Sequence, residues 1–422
     1  MKVKFVTLGC KVNQYEAQSI MEDFSLRKHN ITNSKADLYV INTCTVTHRA
    51  DAKSKEAVKR AKKENPNARI AVSGCLIKGN EDYLNSLGVD YIIPQDKKQY
   101  LADIILGKPC RENLKGDNTS GRIVKDIWAL KISSFINKRA FVKIQDGCSN
   151  HCSFCKIPFV RGKSLSRKPE DVVDEVKKLS HAYPEIIICG INIGLYGKDF
   201  NPPRSLASLI KKVIAVKTLK RLRLSSIEPA LVDEELLSFL NNPKFCPHFH
   251  FPFQSADDFV LKEMNKRATR SLYESVVRRV RSIAPKAAIS CDIMVGFPHE
   301  DKIRFLNTVD FLTGIKPMRM HIFRFSPREY TSYQKTTQKN EAEIRERMSR
   351  LREINNIFSK EYAQSFKGST LYAVTEQHAG KFTCGYTQNY IKVYINKHIP
   401  LGKITAVKIT KTGENKVFGE NV

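Results

Sequence analysis

The sequence predicts an α/β protein in three successive parts: an N-terminal domain with a parallel sheet, a partial (β/α)6 barrel and a small C-terminal β-barrel. Two observations lead to this prediction. Short apolar runs alternate with polar helical stretches along most of the 422 residues, and such alternation is typical of parallel sheets. Near residue 366 the helical stretches stop and only short β-type runs follow, which favours a small closed barrel.

The first part covers residues 1–110. Its four predicted strands are short apolar runs: KFVTL (4–8), DLYVIN (37–42), RIAVS (69–73) and VDYIIP (89–94). Lys- and Glu-rich stretches such as residues 50–64 lie between them and are predicted to be helices. The polar run RENLKGDNTSG (111–121) is rich in turn-forming residues, so we predict a linker or surface loop there.

The second part covers residues 131–365 and repeats the alternation. Its six predicted strands are AFVKIQD, EIIICG, RLRLSS, HFHFPFQ, AAISCDIMVG and MHIFRFS. Six strand–helix units are too few to close an eight-stranded barrel, so a partial barrel is expected. An amphipathic helix near residues 340–365 carries four apolar residues that we expect to pack on the core: Ile344, Met348, Leu351 and Phe358.

The third part covers residues 366–422 and has four short β-type runs, TLYAVTEQ, KFTCGYTQ, YIKVYIN and KITAVKIT. Aromatic residues alternate with lysines here, a combination that suits stacking of single-stranded RNA. Half of these aromatics are expected to face the barrel core instead. They are Tyr372, Phe382, Tyr386, Tyr390 and Tyr394.

The chain carries 71 Lys and Arg against 43 Asp and Glu, a net charge of +28. This excess favours a nucleic-acid partner. The Lys-, Ile- and Asn-rich composition typical of an AT-rich genome explains it equally well, so charge alone leaves RNA binding open. No apolar run approaches the roughly 20 residues that cross a membrane, so we expect no membrane partner. We expect a cytoplasmic protein, because thiols stay reduced there.

The run GCSNHCSFC places Cys148, Cys152 and Cys155 in a C-x3-C-x2-C spacing. Three thiolates on one loop can hold three irons of a 4Fe–4S cluster and leave the fourth iron open to a second molecule. A zinc site is the first alternative, with His151 as the nearest fourth ligand. A disulfide framework is the second, but it is disfavoured by the length of the chain and its odd total of 11 cysteines.

A second cysteine group follows from the order of the strands. Cys10, Cys44 and Cys75 each come directly after a predicted strand of the first part, and Gly9 and Gly74 precede two of them. Because the carboxyl ends of parallel strands meet at one edge of a sheet, we expect these three thiols to converge there. Three unrelated buried cysteines are the alternative. The remaining cysteines show no such pattern and are predicted to be ordinary core thiols: Cys110, Cys189, Cys246, Cys291 and Cys384.

Together these motifs resemble the radical S-adenosylmethionine (SAM) methylthiotransferases over essentially the whole chain. They occur in the expected order: TLGCKVNQYE, NTCTVT, SGC, QDGCSNHCSFCKIPFVRGKSLSR, INIGLYG, RLRLSSIEP, FPFQSADDFVLKEMNKR, DIMVGFPHE and GYTQNYIKV. The resemblance implies a methylthiotransferase N-terminal domain (1–110), a radical SAM core (131–365) and a TRAM RNA-binding domain (366–422). GCKVNQYE is closest to the branch that acts on tRNA N6-threonylcarbamoyladenosine, the MtaB-like enzymes.

The resemblance implies two 4Fe–4S clusters, one on each cysteine group, and SAM. One SAM would methylate a sulfur held on the cluster at the strand-end cysteines, and a second SAM would yield a 5′-deoxyadenosyl radical at the other cluster. That radical would remove the hydrogen from carbon 2 of the modified adenosine beside the anticodon, and the methylthio group would replace it. The implied partners are the tRNA anticodon stem-loop and an external electron donor of the flavodoxin or ferredoxin type.

Five further positions carry over to SAM binding, and no catalytic side chain is indicated. Phe154 lies where the family places an aromatic beside the SAM adenine, and Gly190 would present backbone to the SAM amino group. Glu228, Gln254 and Ser255 are candidates for SAM ribose or carboxylate contacts. Each of these residues is equally explained as a strand-end turn residue.

Three basic residues after the cluster loop are candidates for contacts with tRNA phosphates, with a solvated basic face as the alternative: Arg161, Lys163 and Arg167. The chain departs from the family pattern at turns and beside one cysteine, and not at the six cysteines themselves. These departures are Leu76–Ile77, Cys189, His299 and SPREYT (326–331).

Three other functions stay open. The substrate could be isopentenyladenosine in tRNA, or a ribosomal protein, although the basic tail disfavours the latter. In a different class, charge and cysteine usage also suit a non-catalytic RNA-binding protein stabilised by zinc.

Overall fold

The computed structural model describes residues 1–107, 127–336, 340–413 and 416–422. The predicted linker at 111–121 and Cys110 lie outside these residues. The chain divides into two compact units. The N-terminal unit comprises Met1–Ser134, Gly147–Ser149 and Cys155–Lys163, and the C-terminal unit comprises Phe135–Asp146, Asn150–Phe154 and Ser164–Val422. The three domain boundaries predicted from the sequence stay a prediction.

The N-terminal unit is built on a five-stranded parallel sheet. Its strands are β1 (Lys2–Thr7), β2 (Asn30–Ile31), β3 (Leu38–Thr43), β4 (Arg69–Gly74) and β5 (Tyr91–Ile93), in the order β2-β1-β3-β4-β5. Its helices are α1 (Lys11–Leu26), α2 (His48–Glu64), α3 (Glu81–Ser86), α4 (Leu101–Ile105) and α5 (Ile157–Arg161). All six residues of β3 are buried, as expected of a central strand in a parallel sheet covered on both faces.

The four strands predicted for the first part are all present, and β2 is a short additional edge strand. Apolar clusters lie on both faces of the sheet. One contains Ile41, Val72 and the neighbouring Leu76 and Ile77. Leu76 and Ile77 are therefore core residues here, which gives their departure from the family pattern a packing reason.

The first part of the C-terminal unit contains six parallel strands. They are β6 (Ala140–Lys143), β9 (Ile186–Cys189), β10 (Leu222–Leu224), β11 (His248–Gln254), β12 (Ala288–Val295) and β13 (Arg319–Arg324). A short antiparallel pair, β7 (Gln145–Asp146) and β8 (Leu165–Ser166), follows β6 in the chain. Strands β6, β9 and β10 form one sheet and β11–β13 another, and isolated parallel bridges between residues 222 and 245 and between 226 and 250 continue the order from β10 to β11. The described strands thus form the predicted open six-stranded arrangement.

Helices cover the outer face of these strands. They are α6 (Pro169–Leu179), α7 (Leu206–Ile214), α8 (Glu234–Ser238), α9 (Asp258–Glu263), α10 (Arg270–Ile283), α11 (Lys302–Ile315) and α12 (Glu341–Gln364). Phe253 on β11 contacts Tyr273 of α10 and Phe311 of α11, so its side chain lies on the helix side. Side chains alternate along a strand, so His248 and His250 lie on the opposite, inner face. The predicted helix near 340–365 is α12.

The chain ends in a closed five-stranded barrel. Its strands are β14 (Thr370–Ala379), β15 (Phe382–Thr387), β16 (Lys392–Ile395), β17 (Ile404–Thr412) and β18 (Val417–Asn421), in the order β14-β15-β16-β18-β17. The last of these strands was not predicted. Aliphatic residues such as Val393, Ile395 and Val407 fill its interior.

The expectation that half of the tail aromatics face the barrel core is wrong. None of the five is among the buried residues, and Tyr372 is 53% exposed. Strand alternation explains the difference, because Val393 and Ile395 point inward and their neighbour Tyr394 therefore points outward.

Candidate functional site

The three strand-end cysteines follow neighbouring strands of one parallel sheet. Cys10 comes after β1, Cys44 after β3 and Cys75 after β4, and these strands are adjacent in the order β1-β3-β4. Cys44 and Cys75 are buried, whereas Cys10 is exposed. None of the cysteines in the described part of the chain is joined to another in a disulfide. The structure therefore places these three cysteines along one sheet edge, as the sequence predicts.

Two glycines allow the chain to pass close to Cys44. Gly9 has φ +98°, and a Cβ there would lie 2.8 Å from the Cys44 Cβ and 2.9 Å from its Sγ. Gly74 has φ +104°, and a Cβ there would lie 2.5 Å from the backbone oxygen of Thr43. Both positions combine a left-handed backbone with no room for a side chain, so glycine is required.

Asn13 ties two of the cysteine loops together. Its Nδ2 donates to the backbone oxygen of Leu8 at 2.7 Å and to that of Thr43 at 2.9 Å. Leu8 lies two residues before Cys10, and Thr43 lies directly before Cys44. The amide therefore fixes the spacing between the two loops from the first turn of α1.

Arg161 reaches the third cysteine. Its Nε donates to the Cys75 Sγ at 3.3 Å, while its Nη atoms donate to Asn13 Oδ1 at 2.6 Å and Glu16 Oε1 at 3.0 Å. The Arg161 side chain is 0% exposed. The suggestion that Arg161 contacts tRNA phosphate is therefore wrong, because its guanidinium is buried among the strand-end cysteines.

Arg167 is also unavailable to phosphate, since its side chain is 1% exposed and paired with Glu175. Lys163 is exposed, as a phosphate contact requires.

A buried ion pair completes this network. Lys98 Nζ lies 2.7 Å from Glu16 Oε2 and donates to Asn42 Oδ1 at 3.1 Å. Burial lowers the pKa of Lys98, and Glu16 opposes that change. Sequence reasoning missed the structural roles of Asn13 and Glu16, although the motif KVNQYE places them three residues apart, on one face of a helix.

The environment of Cys44 favours the neutral thiol. Burial raises its pKa to about 11, the neighbouring Cys75 and Cys10 act in the same direction, and Arg161 acts against them. Metals bind thiolates and displace the proton, so these converging thiols suit a cationic iron centre as their counterpart.

The second cysteine group lies on the loop that follows β7. Cys148, Cys152 and Cys155 are all partly exposed. Gly147, at φ +66°, has no room for a side chain, since a Cβ there would lie 2.0 Å from the Lys163 backbone oxygen. Cys148 N donates to Gly162 O at 3.0 Å, so backbone contacts hold the start of this loop.

Further along the loop, Ser153 N donates to Met264 O at 3.1 Å, and Asn265 Nδ2 donates to His151 O at 2.7 Å. His151 is itself exposed.

The residues predicted to bind SAM lie at strand ends or on the cysteine loop. Phe154 packs against an apolar cluster that includes Met264 and Phe297. Gly190 directly follows β9, and a Cβ there would lie 2.9 Å from Gln145 Oε1, so only glycine fits against that side chain.

Gln254, Ser255 and Glu228 differ in how their polar atoms are used. Gln254 ends β11 with φ +69°, and its buried Oε1 has no hydrogen-bond partner in the described structure. The Ser255 hydroxyl is fully buried and lies 3.2 Å from that of Thr308, so the chain itself uses it. Glu228 is paired with Lys266 at 2.6 Å.

Two family models match the chain. The model of uncharacterized protein family UPF0004 matches residues 2–93, and that of the radical SAM superfamily matches residues 142–312.

Full-length relatives share about a third of their residues with this chain. The threonylcarbamoyladenosine tRNA methylthiotransferase MtaB of Bacillus subtilis is 35% identical over 97% of this chain and 94% of its own length. The enzyme of the same name from Thermotoga maritima is 32% identical over 99% and 96%. A tRNA-2-methylthio-N(6)-dimethylallyladenosine synthase from Methylacidiphilum infernorum is 31% identical over 98% and 93%.

The fold resembles that of the radical SAM methyltransferase TsrM from Kitasatospora setae, solved with cobalamin and a 4Fe–4S cluster bound. The TM-score is 0.57 at 12% identity, over 91% of this chain and 77% of that one. None of the helices in the described part of the chain has the length and apolarity to cross a membrane. On the sequence relationship, the chain belongs to the radical SAM methylthiotransferase family and is a transferase that uses a 4Fe–4S cluster and SAM.

Proposed function

We propose that this enzyme methylthiolates carbon 2 of N6-threonylcarbamoyladenosine next to the anticodon of tRNA. The observation that carries the proposal is the presence of two separate cysteine groups, Cys148/Cys152/Cys155 and Cys10/Cys44/Cys75. Formation of the radical needs only one cluster. Transfer of a sulfur-bearing group needs a second cofactor site, which the second group of thiols would provide. The names of the Bacillus and Thermotoga relatives support this modified adenosine as the substrate.

Each cysteine group fits a 4Fe–4S cluster by its donor set of three thiols, which leaves one iron without a protein ligand. Cys148, Cys152 and Cys155 would hold the cluster that binds SAM. Cys10, Cys44 and Cys75 would hold an auxiliary cluster. When bound, the first cluster would supply the electron that cleaves SAM to a radical, and the auxiliary cluster would carry the sulfur to be transferred, chemistry that protein side chains cannot supply.

The protein's contribution at the auxiliary site is positioning. Asn13 spaces the loops that precede Cys10 and Cys44. Arg161 donates to Cys75, and Glu16 and Asn13 hold its guanidinium in place. Glu16 is fully buried between two cations, Lys98 and Arg161, and a buried polar network whose members are paired in this way holds them in position.

We propose that SAM lies at the carboxyl ends of β9–β11. Gln254 offers a buried carbonyl oxygen without a partner, which a ligand N–H would satisfy. Gly190 offers its backbone, Glu228 offers a carboxylate that is paired with Lys266, and Phe154 offers an aromatic ring. Ser255 would act indirectly, because its hydroxyl is bonded to Thr308 and to the backbone at Asp257.

We propose that the C-terminal barrel is a TRAM domain that binds the RNA through one outer face. Phe382, Tyr394 and Phe418 form a partly exposed cluster, with ring centroids 5.5–6.2 Å apart. Lys381 lies over the ring of Phe382, and Lys392 and Lys416 lie over that of Tyr394. Aromatic rings flanked by cations bind single-stranded nucleic acid through stacking and phosphate contacts.

The substrate is tested by mass spectrometry of tRNA nucleosides from a strain that lacks the gene. We expect 2-methylthio-N6-threonylcarbamoyladenosine to disappear and N6-threonylcarbamoyladenosine to accumulate. Unchanged levels would refute the substrate. Loss of the methylthio derivative of isopentenyladenosine instead would assign the enzyme to the other tRNA branch, represented by the Methylacidiphilum relative.

The competing zinc-stabilised RNA-binding protein is tested by anaerobic purification. Two clusters predict a brown protein with about eight irons per chain. A colourless protein that contains zinc at the cysteines would overturn the proposal.

We expect an external electron donor of the flavodoxin or ferredoxin type to reduce the protein. Reduction assays with a flavodoxin and with a ferredoxin would identify the donor.

A further inference from the structure

Three ligand-type side chains meet on the inner face of the open barrel, away from all six proposed cluster cysteines in sequence. His250 lies on β11, Asp292 on β12 and His321 on β13, three adjacent parallel strands. His250 Nε2 is 3.1 Å and His321 Nδ1 is 3.2 Å from the same oxygen, Asp292 Oδ1. One ligand atom from each residue lies within 4.8 Å of the others.

The sheet register produces this meeting. Asp292 is the direct partner of His321, and Ser290, two residues earlier on the same face, is the partner of His250. All four side chains therefore point to one side of the sheet, in two residue pairs that are two positions apart along the strands. Their positions depend on the pairing of strands about 30 to 70 residues apart in sequence, so no local sequence motif predicts that they meet.

The second nitrogen of His250 is fixed by a neighbour. Ser290 Oγ lies 2.9 Å from His250 Nδ1 and 2.8 Å from His248 Nε2. Metal-binding histidines characteristically use their other ring nitrogen in this way, because it sets the tautomer and the ring orientation. The arrangement leaves His250 Nε2 directed at Asp292 and at the space shared with His321.

We propose that His250, Asp292 and His321 bind a divalent transition metal ion such as Zn²⁺ or Fe²⁺. Two imidazoles and one carboxylate are a donor set that suits these ions and leaves coordination positions for water or another ligand. His321 is 60% exposed, so those positions are open to solvent on the inner face. This site is additional to the proposed clusters and does not depend on the identity of the RNA substrate.

Zinc binding to the full-length protein tests the proposal. The protein is first loaded with iron–sulfur clusters so that the cysteines are occupied, then incubated anaerobically with Zn²⁺ and freed of excess metal, and its zinc and iron contents are measured. We expect one zinc per wild-type chain, and a loss of that zinc in His250→Gln/His321→Gln and in Asp292→Asn. Ser290→Ala should bind zinc about 10- to 100-fold more weakly.

A matched control is the His378→Gln/His398→Gln variant. These two rings stack with centroids 4.5 Å apart, but they have no place in the three-ligand group. The control should keep its zinc, and all variants should keep the iron content of the wild type. A wild-type protein that takes up no zinc, or triad variants that retain it, would overturn the proposal.

A second measurement decides the question if the triad variants fail to fold. X-ray absorption at the zinc edge of the wild-type protein should show nitrogen and oxygen ligands at about 2.0–2.1 Å. Sulfur ligands at about 2.3 Å would place the zinc on cysteines and exclude the triad as its site.

Discussion

At the scale of single residues, Arg161 shows how tertiary contacts change the meaning of a sequence. It follows the C-x3-C-x2-C run by six residues in a basic stretch, where an exposed phosphate contact is the natural expectation. Its side chain is instead fully buried and donates to Cys75, which lies 86 residues earlier in the chain. The guanidinium therefore places a positive charge and an N–H donor beside the sulfur.

The first prediction concerns the reduction potential of the proposed auxiliary cluster. Hydrogen bonds and positive charge near the sulfurs raise the potential of an iron–sulfur cluster. Arg161→Gln removes the positive charge and the guanidinium hydrogen bond to Cys75. We therefore expect the reduction potential of the auxiliary cluster, measured in a titration followed by EPR, to become more negative, while SAM cleavage is retained. Lys163→Gln, an exposed neighbour, serves as the control and should leave the potential unchanged. An unchanged potential in Arg161→Gln would contradict the assigned role.

At the scale of structural elements, a buried charge cluster joins the open barrel to the closed one. Glu185, directly before β9, is paired with Arg139, Arg221 and Arg223. Tyr386 and Tyr390 of the closed barrel lie over the Arg139 guanidinium, and Tyr390 also stacks on His248. These two tyrosines are therefore used in packing, and they are poor candidates for RNA stacking.

The second prediction concerns acid stability. Burial opposes ionisation of Glu185, but the guanidinium groups of Arg223 and Arg139 prevail and hold its pKa at about 2. A lowered pKa stabilises the fold above the ordinary value of 4.5, and this stabilisation is lost as pH falls through the lowered one.

Glu185→Gln should cost roughly 3–5 kcal/mol of unfolding free energy at pH 7, since it leaves buried arginines uncompensated. It should also flatten the pH dependence between about pH 4.5 and 2. Denaturant titrations at several pH values measure both. Glu170→Gln, an exposed acid paired with Lys212, is the control and should change stability little. Equal stability of both variants would contradict the prediction.

The third prediction concerns the outer face formed by β15, β16 and β18. Tyr394→Ala should weaken binding of an anticodon stem-loop by about 1–3 kcal/mol, the usual contribution of one stacked base. Phe259→Ala removes an aromatic side chain of α9 that is 46% exposed, more than the partly exposed Tyr394, and it should leave the affinity unchanged. Fluorescence anisotropy at fixed salt measures both, and equal affinities would refute the assignment of this face to RNA.

At the scale of the whole molecule, the proposed function divides the chemistry between the two cysteine groups. The fourth prediction compares one cysteine from each. Cys152→Ala should abolish formation of 5′-deoxyadenosine from SAM, because the cluster proposed to bind SAM would lose one of its three proposed ligands. Cys44→Ala should retain 5′-deoxyadenosine formation but yield no methylthiolated nucleoside.

Chromatography of 5′-deoxyadenosine and mass spectrometry of tRNA nucleosides measure the two outcomes. Each variant should keep about half of the wild-type iron. Cys246→Ala, which removes a buried thiol outside both groups, controls for loss of a cysteine as such. Equal loss of SAM cleavage in Cys152→Ala and Cys44→Ala would show that the two sites are not separable.

The sequence by itself determined the kinds of element and the two cysteine groups. Alternation of apolar and polar runs predicted the parallel strands, and their order placed Cys10, Cys44 and Cys75 at one sheet edge, because parallel strands end on the same side. These are consequences of local pattern and connectivity. The motif order also predicted the family, which the full-length relatives confirm.

Only the tertiary structure decided which side chains are buried and which distant residues meet. It shows that Arg161 is a hydrogen-bond partner of Cys75 and not a surface contact. It shows that Tyr386 and Tyr390 pack against arginine side chains, whereas Tyr394 points outward. It also shows that three ligand-type side chains meet: His250, Asp292 and His321. Side-chain direction and strand register are set by packing between elements far apart in sequence. A local sequence pattern therefore does not predict those contacts.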